Sequence, residues 1–389
     1  MTVWAGVVGQ PGVVATLQAA VAAAGARLSG AGSTTGGGDA MTHAWLLTGP
    51  PGSGRSVAAR AFAAALQCPT GGCLVCPDCH TALAGSHADV ELLATELLSI
   101  GVADTRELVR RAALAPAGGR WQVIICEDAD RLTDSAANVL LKAIEEPPPR
   151  TVWILCAPSA EDVLPTIRSR ARHLHLVTPS TAAVAGLLRA QGVADDVAAF
   201  AAAASQGHIG RARRLAGDPV AAQRRRDVLA TPAACRDVPA ALRAAEKLLE
   251  SVKAEVTAAA EVSDAAERES LRTALGMGGP REKQPPGAAA ALKDLETRQK
   301  KRMTRAQRDG LDRALVDLAA LYRDVLVRQF SSAAPPVHVD CADTVSAVAA
   351  NGNPELTLRR IEAVLAARTA LDTNAAPLLT IETLTLALR

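Results

Sequence analysis

The stretch from Ala44 to Ser56 constrains the fold of this chain more than any other segment. An apolar run, Ala-Trp-Leu-Leu-Thr, enters the loop Gly-Pro-Pro-Gly-Ser-Gly, and a helical pattern from Val57 to Leu66 leaves it. This order of strand, loop and helix is typical of a phosphate-binding loop, in which glycines let backbone N–H groups turn onto an anion. The alternative is an ordinary glycine-rich turn between a strand and a helix.

The consensus of such loops, G-x-x-x-x-G-K-[ST], is met at Gly49, Gly54 and Ser56, but Arg55 takes the place of the lysine. Lysine brings a compact charge to the terminal phosphates, whereas arginine is planar and larger, so the exchange is not conservative. We therefore expect the loop to handle hydrolysis badly or not at all. The sequence leaves open whether ATP or ADP with Mg²⁺ is bound. The candidate nucleotide-binding residues of the loop are Gly49, Pro50, Pro51, Gly52, Ser53, Gly54, Arg55 and Ser56.

A second candidate nucleotide motif lies at the end of the apolar run from Gln122 to Cys126. The run predicts a buried parallel strand, and Glu127 and Asp128 follow it directly. Ligands of doubly wound sheets bind where strands end, and there one carboxylate can hold Mg²⁺ while the other activates water. Many turns begin with acidic residues, so the pair alone is weak evidence for a nucleotide site. The phosphate-loop pattern that precedes it makes this interpretation stronger.

Half of the eight cysteines cluster as Cys68-x4-Cys73-x2-Cys76-x2-Cys79. Thiolates at this spacing can surround one tetrahedral ion, and thiolate ligands favour Zn²⁺. Because such a set leaves no open position, the zinc is predicted to be structural rather than catalytic. The alternatives are a redox pair or unliganded thiols, and His80 could replace one ligand. The remaining cysteines are expected to be buried small hydrophobes, namely Cys126, Cys156, Cys235 and Cys341.

Bulk composition bounds the remaining possibilities. A chain of 389 residues is long enough for two or three domains, and with only 2% aromatic residues its core should be mostly alanine, leucine and valine. The net charge of +2 predicts no global attraction to nucleic acid, so any DNA contact has to be local. We see no basic region followed by an apolar leader and no apolar run of about eighteen residues, which predicts a cytoplasmic protein with no membrane partner.

Several of these patterns together carry a family likeness. They are Val8-Gly9-Gln10, the loop at 49–56, the clustered cysteines, Asn138-x-Leu-Leu-Lys142-x-Ile-Glu145-Glu146-Pro147-Pro148 and Thr166-Ile-Arg-Ser169-Arg170. In combination they resemble bacterial DNA polymerase III clamp-loader subunits, which are AAA+ proteins, over about residues 3–215. The resemblance implies an α/β AAA+ module with a parallel sheet, a phosphate loop and a zinc-binding insertion. A small helical lid and an all-α collar domain should follow it.

The departures from the family pattern indicate which kind of subunit this is. The hydrolysing subunit has lysine at the position of Arg55, and it has Asp-Glu where this chain has Glu127-Asp128. A polar sensor is also replaced, by Ala157-Pro158. The pattern is similar to the delta' type of subunit, whose own ATP site is degenerate. The alternative is an ATP-hydrolysing subunit of the gamma/tau type.

Further roles follow only from the resemblance. Arg170 is expected to reach into the ATP site of a neighbouring subunit as a trans arginine finger, although an isolated arginine is more often a surface residue in a salt pair. Lys142 is expected to face DNA. The implied partners are the gamma/tau ATPase subunits, the delta subunit, the sliding clamp and primed DNA. A zinc or redox enzyme would instead need an open metal position or a reactive thiol.

The predicted domains are an AAA+ domain over 1–178 with its cysteine module at 68–79, a lid over 179–223 and a collar over 224–389. Loops are predicted at 29–42 and 276–287, and collar helices at 238–275, 288–330 and 344–372. A basic segment, 298–305, favours a solvated helix face over contact with DNA phosphates. The packed face of the collar is predicted to contain Leu311, Leu315, Leu318, Leu321 and Leu326.

Overall fold

The computed structural model describes residues 2–30, 40–95, 97, 99–118, 120–274, 288–373 and 375–389. Two compact units divide the chain, Met1–Ala216 and Gly217–Arg389. The predicted linker 276–287, and residues 31–39 of the predicted loop 29–42, lie outside the described residues. The predicted division between lid and collar, at 223/224, falls inside a helix that spans Pro219–Leu229.

The first unit is built on a parallel sheet of five strands in the order β2-β3-β4-β1-β5. Strand β1 lies between β4 and β5, so the segment that precedes the phosphate loop is at the interior of the sheet. The strands are β1 (Ala44–Thr48), β2 (Val90–Leu93), β3 (Gln122–Cys126), β4 (Thr151–Ala157) and β5 (Arg172–His175). The α/β fold with a parallel sheet is confirmed.

The apolar runs of the central strands supply both faces of the sheet, because successive side chains of a strand point in opposite directions. Trp45 and Leu47 join the hydrophobic cluster that contains helices α1 (Pro11–Leu28), α2 (Arg55–Gln67) and α3 (Pro77–Ala84). Leu46 joins the cluster on the other face, with helices α4 (Val102–Ala112), α5 (Asp134–Glu145) and α6 (Pro165–Arg168). Fully buried strands therefore read as continuous apolar runs rather than as alternating patterns.

Two local signals position α2 and α5. Helix α2 buries a series of alanines against the sheet, and Phe62 meets Trp45 edge to face with ring centroids 5.2 Å apart. Helix α5 begins as predicted after Thr133, whose side chain accepts a hydrogen bond from the Ala136 N–H at 3.3 Å. Proline residues from Pro147 onward prevent the helix from continuing.

A separate small cluster of buried residues joins three helices at the end of the first unit. These are α7 (Thr181–Ala190), α8 (Asp195–Ser205) and α9 (Ile209–Gly217). Their contacts are mainly alanine with a few larger side chains, such as Val184 and Leu188. This is the predicted helical lid.

The described residues of the second unit form helices and their connecting turns, and no strand is found among them. Its helices are α10 (Pro219–Leu229), α11 (Thr231–Ala234), α12 (Val238–Ala274), α13 (Ala288–Gln329), α14 (Ala342–Ala350), α15 (Pro354–Asp372) and α16 (Pro377–Ala387). Gly310 lets α13 approach α12 closely, since a Cβ there would lie 2.6 Å from Val252. In the basic segment, Arg302 pairs with Asp264 and Glu267 of α12, whereas Lys300 and Lys301 are exposed.

Two predictions about the second unit are wrong in detail. The helix expected over 344–372 is broken at 351–353, where Asn353 starts α15 by accepting from the Leu356 N–H at 2.8 Å. Leu326 is only half-buried, whereas Val325 is fully buried, because the packed face continues from Leu321 through Tyr322 and Val325. The other predicted leucines of this face are buried.

One helix corrects the expectation about apolar runs. Helix α1 has 18 residues and a mean hydropathy of 1.2, which meets the length and composition of a membrane span. In this structure its buried residues, including Leu17 and Ala20, belong to the core of the first unit.

Candidate functional site

The phosphate loop lies between β1 and α2, and its glycines have backbone conformations that other residues rarely adopt. Gly49, Gly52 and Gly54 have φ values of 148°, 84° and 94°. A Cβ at Gly49 would lie 2.4 Å from the carbonyl oxygen of Leu176, and one at Gly52 would lie 2.4 Å from the imidazole of His208. The loop therefore requires glycine for space as well as for conformation.

Arg55, the residue in place of lysine, is turned back onto its own loop. Its guanidinium donates a hydrogen bond to the carbonyl oxygen of Gly49. Burial lowers the pKa of Arg55 below its usual value, and the nearby carboxylates of Asp130 and Asp128 act in the opposite direction. The guanidinium of Arg55 is thus bonded to its own loop, at the position where a phosphate loop normally presents a cation to the nucleotide.

The predicted acids at the end of β3 are engaged in the same way. Glu127 accepts from Arg60 of α2, with 2.9 Å between Arg60 Nε and Glu127 Oε1. Asp128 accepts from the Thr95 N–H at 3.1 Å, and 3.8 Å separates its Oδ1 from Arg131 Nε. Each of these carboxylates therefore has a partner in this chain.

The position of the polar sensor is apolar. Ala157, the last residue of β4, is fully buried, and the carbonyl oxygen of Pro158 accepts from the Gly49 N–H at 3.1 Å. The end of β4 therefore supports the loop through its backbone and offers no side chain to a phosphate.

Residues that sequence reasoning did not assign to the site complete it. His208, just before α9, contacts Gly52, and its Nδ1 accepts from the Arg211 N–H at 3.2 Å. The buried amide of Gln10 donates to the carbonyl oxygens of Ser53 at 3.2 Å and Val177 at 2.6 Å. Gln10 and His208 are far from the loop in sequence, and the fold brings both into contact with it.

A further acid, Asp130, belongs to the same surroundings. Burial raises the pKa of Asp130 above its usual value, and Arg55 lies close enough to oppose that shift. Among the side chains of the loop, the hydroxyl oxygen of Ser53 is buried without a hydrogen-bond partner. In this structure Arg55 and Glu127 each pair within the chain, and His208 packs against Gly52.

The four clustered cysteines meet at the C-terminal end of α2. Their sulfur atoms all lie within 4.8 Å of one another. The Sγ of Cys68 is 3.7 Å from that of Cys73 and 3.8 Å from that of Cys76. Tetrahedral zinc with Zn–S bonds of about 2.3 Å requires sulfur separations of about 3.8 Å. The cluster fits Zn²⁺, whereas His80 is exposed and outside it.

The sulfur of Cys68 has the surroundings of a thiolate. Burial alone would raise its pKa, but hydrogen bonds from Thr70 and from the backbone of Cys73 outweigh burial and lower the pKa to about 5. Burial raises the pKa of Cys79. Zinc bound to Cys68, Cys73, Cys76 and Cys79 would supply the positive charge that allows all of them to ionise. The other cysteines are buried, as predicted.

Arg170 and Lys142 lie apart from the loop, on the surface of the first unit. The side chain of Arg170 is 39% exposed and pairs with Glu145 at 2.6 Å between Nη2 and Oε1. Lys142 is exposed on α5, one turn before Glu145. The surface position of Arg170 is compatible with a neighbouring subunit reaching it, and its ion pair is the salt pair that the sequence left as the alternative.

Comparison with known proteins finds similarity for part of the chain. The sequence family described as DNA polymerase III, delta subunit, matches residues 35–180. The gamma/tau subunit of DNA polymerase III from Mycobacterium tuberculosis is 37% identical over 169 residues, which are 41% of this chain and 29% of that protein. The delta' subunit from Escherichia coli is 36% identical over 180 residues, which are 44% of this chain and 54% of that protein.

The chain thus spans between about a third and a half of the length of the curated relatives it matches. Among solved structures, a RuvB variant of Thermotoga maritima has a TM-score of 0.39 and 20% identity, covering 74% of this chain and 83% of that one. The fold is an α/β module whose parallel sheet carries a phosphate-loop pattern between β1 and α2. Residues 35–180 match that family, and this part of the chain is similar to gamma/tau and delta' subunits of bacterial DNA polymerase III.

Proposed function

We propose that this chain is a delta'-like subunit of a bacterial DNA polymerase III clamp loader. In this role it assembles with gamma/tau-type ATPase subunits and a delta subunit in the cytoplasm. The assembly loads the sliding clamp onto primed DNA. The family match over residues 35–180 supports a role in the clamp loader. The arginine at position 55 of the phosphate loop supports the delta'-like type of subunit.

The observation that carries the proposal is Arg55 in place of the consensus lysine, with its guanidinium turned onto the carbonyl oxygen of Gly49 in its own loop. A phosphate loop works by presenting a cation and backbone N–H groups to phosphate oxygens. Here the cation is used internally, and so is Glu127, through its pair with Arg60. A subunit with such a site is expected to contribute to its complex without hydrolysing ATP.

Arg170 is proposed to act in the ATP site of a neighbouring subunit rather than in the site of its own chain. An arginine provided in trans stabilises charge on a transferred phosphoryl group and can raise turnover by roughly 10³–10⁵. Its exposure, together with the motif Thr166-Ile-x-Ser169-Arg170, supports this role. The cysteine cluster is proposed to hold a structural zinc that fixes the end of α2.

A second candidate function is an ATP-hydrolysing subunit of the gamma/tau type. The observation in its favour is that the gamma/tau subunit of Mycobacterium tuberculosis is 37% identical, against 36% for the delta' subunit of Escherichia coli. Identity therefore does not separate the two, and the chemistry of the loop has to do so.

Reconstitution separates them. The chain alone is expected to show no ATP turnover, and adding it to gamma/tau and delta subunits should restore clamp loading on primed DNA. Turnover by the isolated chain that disappears in Arg55→Ala would instead establish the second candidate. A complex that loads clamps equally well without this chain would remove both.

A further inference from the structure

Arg170 is held by its own chain at both terminal nitrogens. Nη1 donates to the carbonyl oxygen of Thr166 at 2.8 Å and lies 3.2 Å from Ser169 Oγ, while Nη2 pairs with Glu145 Oε1 at 2.6 Å. Thr166 and Ser169 are in the same turn as Arg170, whereas Glu145 comes from another element, the last residue of α5. The carboxylate is therefore the one long-range contact of this guanidinium among the described residues.

The choice of partner is informative, because Glu145 has another cation three residues away on its own helix. Lys142 lies three residues earlier on the same helix, a spacing at which side chains meet. No ion pair joins Lys142 to Glu145 among the residues that the structure describes, and the carboxylate reaches Arg170 instead. A guanidinium paired with a carboxylate at this distance has little net charge to offer to a phosphate.

We propose that Glu145 is a positioning residue that holds Arg170 in a resting state and has to release it before Arg170 can serve a neighbouring subunit. This inference rests on the proposed trans role of Arg170. Release is feasible within a catalytic cycle, because both side chains are about 40% exposed. Ion pairs this exposed change an equilibrium by about fivefold or less.

The test uses the assembled complex with Glu145→Gln. Removing the charge while keeping the shape is expected to raise kcat for ATP by about two- to fivefold. Glu146→Gln is the matched control, since Glu146 is the adjacent exposed carboxylate and no ion pair to it is found in the described part of the chain. The control should leave kcat unchanged.

The double variant Glu145→Gln with Arg170→Ala decides whether the effect passes through the arginine. If it does, Glu145→Gln changes nothing once Arg170 is absent. An equal rise in both backgrounds, or no rise in either, overturns the inference. If Arg170→Ala itself leaves turnover intact, the proposed trans role fails, and that result is separate from any effect of Glu145.

Chemical modification tests the ion pair between Glu145 and Arg170 in the isolated chain, without the assembled complex. Phenylglyoxal modifies accessible guanidinium groups, and peptide mass spectrometry reports the rate at Arg170 in the isolated chain. Glu145→Gln is expected to raise this rate at least about twofold, since the bound carboxylate shields Nη2. Glu146→Gln should not. Equal rates in the three proteins would show that Glu145 does not hold the arginine, whatever the turnover assays give.

Discussion

Two guanidinium groups of the first unit, Arg55 in the phosphate loop and Arg170 near the start of β5, occupy opposite settings. Arg55 is partly buried, bonded to a carbonyl of its own loop, and its pKa is lowered by burial. Arg170 is at the surface and bonded to a carboxylate that solvent also reaches. The comparison teaches that a residue type in a motif does not define its role; its partner and its exposure do.

The surroundings of the two arginines also differ in how many distant parts of the chain contact them. Three parts of the chain converge on the phosphate loop, namely Gln10, Pro158 and His208, and each contacts it through a bond or close packing. At Arg170 the contacts come from its own turn and from Glu145. The loop is therefore contacted by three distant parts of its own chain, whereas Arg170 is contacted by one.

The strongest way to break this comparison is Arg170→Ala. If Arg170 serves a neighbour, ATP turnover of the assembled complex should fall by roughly 10³-fold at the site it completes. Assembly should be unaffected, because the lost ion pair is exposed. Steady-state turnover and gel filtration of the complex check the two parts.

Arg168→Ala is the matched control for this variant. Arg168 lies two residues earlier, and its side chain is 41% exposed, with Nη1 3.8 Å from Glu161. Turnover should stay within about twofold of the wild type, as for an exposed pair. A comparable loss in both variants would indicate general damage to this turn.

The next largest effect is expected at the cysteine cluster, which lies at the end of helix α2. Cys76→Ser should release zinc and lower the free energy of unfolding of the first unit by about 4 kcal/mol or more, since loss of a structural metal is among the costliest single changes. Chemical denaturation and a colorimetric zinc assay check this. His80→Ala should retain one zinc per chain, because His80 is exposed outside the cluster. Loss of zinc in His80→Ala would make the imidazole a ligand.

A smaller change is expected when the loop is restored toward its consensus. Arg55→Lys removes the bond to the Gly49 carbonyl and places a compact cation toward the phosphates, so affinity for Mg·ADP should rise about tenfold. Calorimetric titration measures it. Arg106→Lys is the control, because Arg106 is an exposed arginine of α4. No gain in Arg55→Lys would mean that His208, and not Arg55, limits the site.

The smallest effect is predicted for Lys142→Ala. A single phosphate contact should weaken DNA binding of the complex by a few-fold and reduce the slope of log affinity against log salt by about one. Fluorescence anisotropy over a salt series measures both. Lys253→Ala, which removes an exposed lysine of the second unit, should change neither. An unchanged slope in Lys142→Ala would mean that Lys142 does not face DNA.

Local patterns predicted much of this molecule. The continuous apolar runs of β1, β3 and β4 gave the buried parallel sheet, Thr133 gave the start of α5, and the cysteine spacing gave the cluster. Each of these depends on residues that are close in sequence, so propensity and spacing are sufficient. The break at Asn353 could have been predicted as well, because Asn351-Gly352-Asn353-Pro354 is a turn signal.

Contacts between distant residues could not be predicted in this way. Arg60 and Glu127 meet only because α2 packs beside β3, and His208 reaches Gly52 only because the lid folds back on the loop. The direction of the Arg55 side chain is likewise decided by the buried surroundings, which the motif does not describe. The motif therefore located the site, while tertiary packing determined its chemical state.

The contrast between an engaged loop and an approachable surface arginine is tested most directly by a titration of Mg·ATP into the isolated wild-type chain. Because Arg55 and Glu127 are paired within the chain and His208 contacts Gly52, the dissociation constant should be weaker than about 100 μM. No ATP should be hydrolysed at saturation. Binding near 1 μM, accompanied by turnover, would contradict the idea that this chain has closed its own site and serves another.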